Sequence, residues 1–234
     1  MLDRINHTVE TTPEGRRYTI EGKDYILDSV TTNLRVVNKP ELNDWRVKHG
    51  REESNRLRDE GGEIGTMVHQ AGLRLFKGEG YGSFEWSLLG YPTDKDERVR
   101  NAVCALDLLR RERPLSPGDA ELFVWSEMYR FAGTLDKVEV YKDYADIYDW
   151  KTSERIYTTT WLQLAAYAIA FRECYGIPVR RIYPVRLDRG PANERSVKYE
   201  AEVFKEGEDI DKAFTAYIYA QELGRYVKSE GGRY

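Results

Sequence analysis

The chain has 234 residues, with 36 Lys and Arg against 40 Asp and Glu and a formal net charge of -4. That length fits one sizeable domain, able to bury a core without disulfides or structural metals. Its two cysteines, Cys104 and Cys174, lie far apart and in no CxxC spacing, which excludes a disulfide framework, a four-cysteine zinc site and an iron–sulfur cluster held by this chain alone.

The first residues, MLDRINHTVETTPEG, lack the apolar core of a secretory signal. Residues 17–28 read as two short strands around a Glu21-Gly22-Lys23 turn. The hydroxyls of Ser29-Val30-Thr31-Thr32 suit a helix start or a loop. Pro40 opens a helix through Trp45 toward the charged stretch RVKHGREESNRLRDE, a solvated helix or a mobile loop. Gly61-Gly62 is expected to break the chain, and an amphipathic helix follows over 63–76, with Ile64, Met67, Val68, Ala71 and Leu75 on one stripe. Residues 77–93 read as a loop and 94–111 as a helix that Pro114 and Pro117-Gly118 end. The Val-, Tyr-, Phe- and Trp-rich stretch 121–150 predicts three strands. A buried helix is expected over 157–175, strands over 179–187 and 196–204, and a final amphipathic helix over 208–228. The fold class is α/β, a mixed central sheet flanked by helices, as a single domain over 1–234 with 1–61 as an N-terminal hairpin and helical extension. No apolar run approaches the roughly 20 residues of a membrane span, so a cytoplasmic protein with reduced thiols is expected.

Chemistry concentrates at Asp149-Trp150-Lys151. Residues two apart on a strand share a face, so Asp149 and Lys151 project together and Trp150 points away. With the preceding hairpin turned at Lys142-Asp143, Tyr141 faces Tyr144 and Asp136 faces Asp149, their β-carbons about 5 Å apart. Two opposed carboxylates repel, and a divalent cation such as Mg²⁺ or Mn²⁺ resolves the repulsion. Such a metal lowers the pKa of a bound water and polarises a phosphate oxygen, while Lys151 orients the water or steadies the developing charge. The same residues also fit a solvent-exposed hairpin with an incidental Asp–Lys pair. On the 63–76 helix, Gly65 and His69 share a face. The glycine allows close approach, and His69 suits either a metal ligand or a locally hydrogen-bonded histidine. Gln163 and Tyr167 are likewise four apart and fit core packing as readily as a site.

Taken together and in order, Gly65…His69, Glu127, Gly133-Thr134-Leu135-Asp136, Asp149-Trp150-Lys151 and Gln163…Tyr167 resemble the RecB-like branch of the PD-(D/E)XK nuclease superfamily, over roughly residues 62–187. Ser29-Val30-Thr31-Thr32…Asn38-Lys39-Pro40-Glu41-Leu42…Trp45 resembles the leading region of phage-type and mitochondrial-type members, less diagnostically. The resemblance implies a restriction-endonuclease-like core. It makes His69, Asp136 and Asp149 metal ligands, with help from the Trp150 carbonyl, and Lys151 the catalytic lysine. It makes Glu127 an accessory acid, and Gln163 and Tyr167 positioning groups for DNA or a metal-bound water. Related Cas4 nucleases add cysteines for an iron–sulfur cluster that this chain cannot supply. The function so implied is a Mg²⁺- or Mn²⁺-dependent DNA exonuclease acting at ends or on single strands, in recombination, repair or replication, with a recombinase or single-strand-binding protein as partner. No GxxxxGK[ST] motif occurs, so unwinding would fall to another protein. The alternatives are a non-catalytic DNA-binding accessory protein on the same fold and a restriction-type endonuclease. The net negative charge weighs against simple phosphate binding, although metal sites also require carboxylates. Trp45, Trp86, Tyr81 and Trp161 are candidates for stacking bases or for the core. The stretch Arg46–Arg58 is a phosphate-tracking arch or a solvated helix.

Overall fold

The computed structural model describes residues 2–37, 40–78, 97–113, 115–190 and 197–232, with only the backbone at Glu41. Among these, nine strands form one mixed sheet. Strands β1 (His7–Thr12), β2 (Gly15–Ile20) and β3 (Ile26–Ser29) make an antiparallel meander. A short helix α1 (Val30–Asn33) follows, with Ser29 Oγ accepting from the Thr32 N–H at 3.0 Å, and then a 3₁₀ turn, Leu34–Val36. Next come helices α2 (Pro40–His49), α3 (Arg51–Phe76) and α4 (Glu97–Glu112). Strands β4 (Ala120–Ser126), β5 (Phe131–Val140) and β6 (Ala145–Lys151) lead into helix α5 (Thr158–Tyr175). The chain closes with β7 (Val179–Leu187), the short β8 (Tyr199–Glu200) and β9 (Lys205–Glu206), and helix α6 (Glu208–Ser229).

β5 is the hub of the sheet. It pairs in parallel with β3 through Phe131 and Ala132, and antiparallel with β4 and β6. β7 returns parallel to β6 after α5. Alternation along β6 divides the core between the two faces. Ala145 and Ile147 pack with α5 and α6, whereas Tyr148 and Trp150 pack with α3 and α4. α5 is apolar on most sides because it lies between the sheet and α6. The expected α/β class, a mixed sheet between helices on a restriction-endonuclease-like plan, is therefore observed.

Several expectations need correcting. α3 runs unbroken through Gly61-Gly62. Two glycines cost a helix about 1 kcal/mol each, which the buried stripe from Ile64 to Phe76 outweighs. The break falls instead at Gly50, whose φ of 76° lies outside helical space. The second C-terminal strand shrinks to Tyr199–Glu200 and Lys205–Glu206. Of the two readings offered for the charged stretch after Trp45, the helical one holds, divided between α2 and α3. Residues 79–93 of the expected 77–93 loop and the start of the expected 94–111 helix lie outside the described residues, as do Tyr81 and Trp86. Among the described residues no helix is long and apolar enough to cross a membrane.

Candidate metal and catalytic centre

The β5–β6 register follows the expected hairpin. Tyr141 N–H donates to Tyr144 O at 2.8 Å, and pairing continues to Lys137 opposite Tyr148. The next pair outward is Asp136 and Asp149, and there the ladder stops. Asp136 Oδ2 instead accepts from the Trp150 N–H at 2.7 Å, so the carboxylate fills the fork where the strands part. Both aspartates are buried, Asp136 4% and Asp149 1% exposed.

Helices from the two faces of the sheet complete the cluster. From α3, His69 Nδ1 lies 3.0 Å from Asp136 Oδ1 and 3.4 Å from Glu121 Oε1. From α5, Gln163 Nε2 donates to Asp149 Oδ1 at 3.0 Å and to the Tyr167 hydroxyl at 3.3 Å. Lys151 Nζ is 2.5 Å from Asp149 Oδ2. Gly133 explains how Tyr167 fits: a β-carbon there would meet the Tyr167 ring at 2.5 Å. The glycine of one motif thus makes room for the tyrosine of another. Gly65 has no such packing reason, because its nearest neighbour would be Thr152 Oγ1 at 3.8 Å. It leaves open space on the wall of the cavity.

These side chains line a cavity of about 530 Å³. His69, Asp136, Asp149, Lys151, Gln163 and Tyr167 all reach it, as do Arg16, Tyr18, Ser29 and Thr31 from the N-terminal segment. The Trp150 side chain does not. It is buried against Phe76, ring centroids 5.6 Å apart, and only its backbone faces the cluster.

Glu127 stands elsewhere. It sits in the turn after β4, pairs with Lys23 Nζ at 2.8 Å and accepts from the Tyr25 hydroxyl at 3.0 Å. The acid beside His69 and Asp136 is Glu121. In the β4–β5 register Ala120 faces Lys137 and Leu122 faces Leu135, which puts Glu121 level with Asp136. That register could have been counted from a turn at 127–130. Glu121 also has a φ of 47°, a left-handed conformation costing a non-glycine residue roughly 1–2 kcal/mol. Such strain clusters at functional sites. The cavity-lining Arg16 and Tyr18 gave no signal in the sequence, because only β3's pairing with β5 brings them near.

The electrostatics are those of crowded carboxylates set against the His69 and Lys151 cations, with Arg16 on the cavity wall. Burial pulls the His69 pKa down, but Asp136 and then Glu121 outweigh it and raise it to about 10, so His69 is protonated at neutral pH. Burial lifts the Asp149 carboxyl, Lys151 opposes and Asp136 lifts it again, leaving it at about 6. Burial lowers the Lys151 pKa, and Asp149 and Asp136 more than restore it. Burial raises the Tyr167 hydroxyl far above its usual range, with Asp149 adding to the effect.

The residues fit a divalent cation. Among the described residues, Glu121 Oε1 and Asp149 Oδ2 are buried oxygens without a hydrogen bond of good geometry. His69, Glu121 and Asp136 offer ligand atoms within 4.8 Å of one another. Carboxylate oxygens with one imidazole suit Mg²⁺ or Mn²⁺.

A family model for the PD-(D/E)XK nuclease superfamily matches residues 46–226. No curated protein gives a significant match to the chain.

Proposed function

The chain belongs to the PD-(D/E)XK nuclease superfamily, and from that premise we propose that it is a Mg²⁺- or Mn²⁺-dependent deoxyribonuclease that digests DNA from ends or along single strands. One observation carries the reading. Buried carboxylate oxygens without a hydrogen bond of good geometry, on Glu121 and Asp149, stand beside Lys151 in a cavity that the glycine–histidine, aspartate–lysine and glutamine–tyrosine motifs reach together. The Asp149 oxygen faces the Lys151 ammonium at 2.5 Å and the Glu121 oxygen faces His69 at 3.4 Å, neither with a well-directed hydrogen bond. Leaving a buried polar atom so poorly satisfied costs about 1–3 kcal/mol unless a bound species completes it.

In this reading Asp136, Asp149 and His69 hold the metal, joined by Glu121 and the Trp150 carbonyl. When bound, the metal supplies an acidified water and a Lewis acid for a phosphate oxygen. His69 must first give up its proton. The Trp150 N–H fixes one oxygen of Asp136 and Gln163 fixes one oxygen of Asp149, so each carboxylate would offer the cation its other oxygen, which in the metal-free chain faces His69 and Lys151 respectively. Tyr167 steadies Gln163. The Lys151 ammonium holds the attacking water or the charge that builds on the phosphate. The order of the motifs supports the RecB-like branch, exonuclease action and a setting in recombination, repair or replication beside a recombinase or single-strand-binding protein.

The test is cleavage of 5′- and 3′-labelled linear DNA and of closed circles, with Mg²⁺ or Mn²⁺. Stepwise loss of linear DNA, intact circles and no cleavage by Asp149→Ala or Lys151→Ala are expected. Undiminished cleavage by both variants overturns the site, and discrete fragments from circles overturn the exonuclease mode.

A further inference from the structure

Next to the catalytic cavity lies a second hollow of about 260 Å³. Its base is the loop that follows Lys151, and its walls are α2 and α3. Trp45, Leu57 and Tyr157 supply apolar and aromatic surface, and Arg58, Arg155 and Arg189 supply guanidinium groups. Trp45 and Tyr157 are half-buried. Arg58 is paired with Asp59 at 2.9 Å, whereas the side chains of Arg155 and Arg189 form no ion pair with any described residue. The hollow also includes one acid, the exposed Glu154.

The helix between the two hollows carries a separate clue. Gly61 lines the second hollow and Gly62 the first. Neither needs to be glycine for packing: a β-carbon on Gly62 would meet nothing within 4 Å, and one on Gly61 only Arg189 at an ordinary 3.7 Å. Both are helical, where glycine is unfavourable. A pair that weakens its helix and relieves no clash leaves a bare saddle between the hollows.

We propose that this second hollow is a nucleotide subsite, which takes an unpaired base of the substrate strand as the strand crosses the Gly61-Gly62 saddle into the catalytic cavity. Flat rings accept a base of any sequence by stacking, and guanidiniums hold the flanking phosphates. A base inside a duplex keeps its faces stacked on its neighbours and cannot offer one to Trp45 or Tyr157. The subsite therefore selects single strands, which makes specific the substrate left open in the nuclease reading on which it rests.

The test is fluorescence anisotropy with a labelled oligothymidylate and a matching duplex, in EDTA so that binding is read without cleavage. Trp45→Ala is expected to weaken single-strand binding about fivefold or more and to change duplex binding less than about twofold. Replacing thymidines by abasic nucleotides should cost the wild type a similar factor and Trp45→Ala little further, a coupling that a merely structural Trp45 would not show. Gly62→Leu guards against misfolding: it should leave the melting temperature equal or higher, because leucine favours the helix, yet weaken single-strand binding. Unchanged single-strand binding in Trp45→Ala and Gly62→Leu overturns the subsite, as do independent losses from the abasic substrate and Trp45→Ala. A wild type that binds single strands in this coupled way but never cuts sustains the subsite and overturns the nuclease. Cleavage without the coupling does the reverse.

Discussion

Toward its turn, the β5–β6 hairpin buries Lys137, Glu139 and Asp146 with their charges matched. Glu139 accepts from the Ser116 N–H at 3.0 Å and lies 3.2 Å from Lys137 Nζ, and Arg180 grips both oxygens of Asp146. At the open end of the same two strands, Asp136 and Asp149 crowd with Glu121, and oxygens of Glu121 and Asp149 meet His69 and Lys151 without a hydrogen bond of good geometry. Both ends hold buried carboxylates, so burial alone does not mark the site. The distinction is whether the protein itself completes the hydrogen bonding or leaves part of it to a bound species.

Variants of the two ends should separate accordingly. The largest effect is expected at the open end. Lys151→Ala should lower single-turnover cleavage on the order of 10³-fold. The buried Asp149 carboxyl it leaves unpaired has a pKa already lifted to about 6 and can take up a proton. The loss of stability should therefore stay smaller than at the closed end, and a matching loss would erase the distinction. At the closed end Glu139→Ala strands Lys137, which is 1% exposed. It should cost about 3–5 kcal/mol in urea unfolding and leave the cleavage rate of the folded fraction near wild type.

Smaller effects sharpen the contrast. Glu121→Ala should lower metal affinity or cleavage about 10- to 100-fold, whereas Glu127→Ala should leave both within about twofold. If Glu127→Ala proves the more damaging, the assignment of the acid from the register is wrong. The smallest effect is a pH dependence. The folded pKa of His69 is raised, so in the metal-free chain its stabilising contribution is full below the unfolded value of 6.5 and is lost as pH rises through about 10. Metal must displace that proton, so it binds more tightly as pH rises over the same window. The melting temperature without metal should fall across this range, and the shift produced by saturating Mn²⁺ should grow. At 100 times its Kd the cation adds about 2.7 kcal/mol, several degrees for a chain of this length. His69→Gln should flatten both trends.

The sequence makes some of this legible and hides the rest for physical reasons. The β4–β6 meander, α5 and α6 show because their apolar spacing is tied to a buried face. The Tyr141–Tyr144 turn then places Asp136 and Asp149 together by counting alone. β1 escapes because its residues are almost all exposed, so no apolar alternation marks it. Gly61-Gly62 misleads because composition reports the local cost of glycine and not the tertiary packing that offsets it. Glu127 misleads because an acid can be matched by spacing along the chain, while the acid at the cluster is set by pairing across strands. Arg16 and Tyr18 reach the cavity through a parallel pairing between segments a hundred residues apart, which no local pattern encodes.

That pairing has a practical consequence for anyone trimming the chain. A fragment beginning at residue 46, where the family match starts, would retain His69, Asp136, Asp149, Lys151, Gln163 and Tyr167. It would lose Tyr18, Ile20 and Leu27, which pack on Phe123 and Ala132, and would bare the backbone of β5 at Phe131 and Ala132. An uncovered strand edge flanked by freshly exposed apolar side chains invites pairing with other molecules. The minimal fragment should aggregate where the full chain does not, a result easily mistaken for a faulty active site.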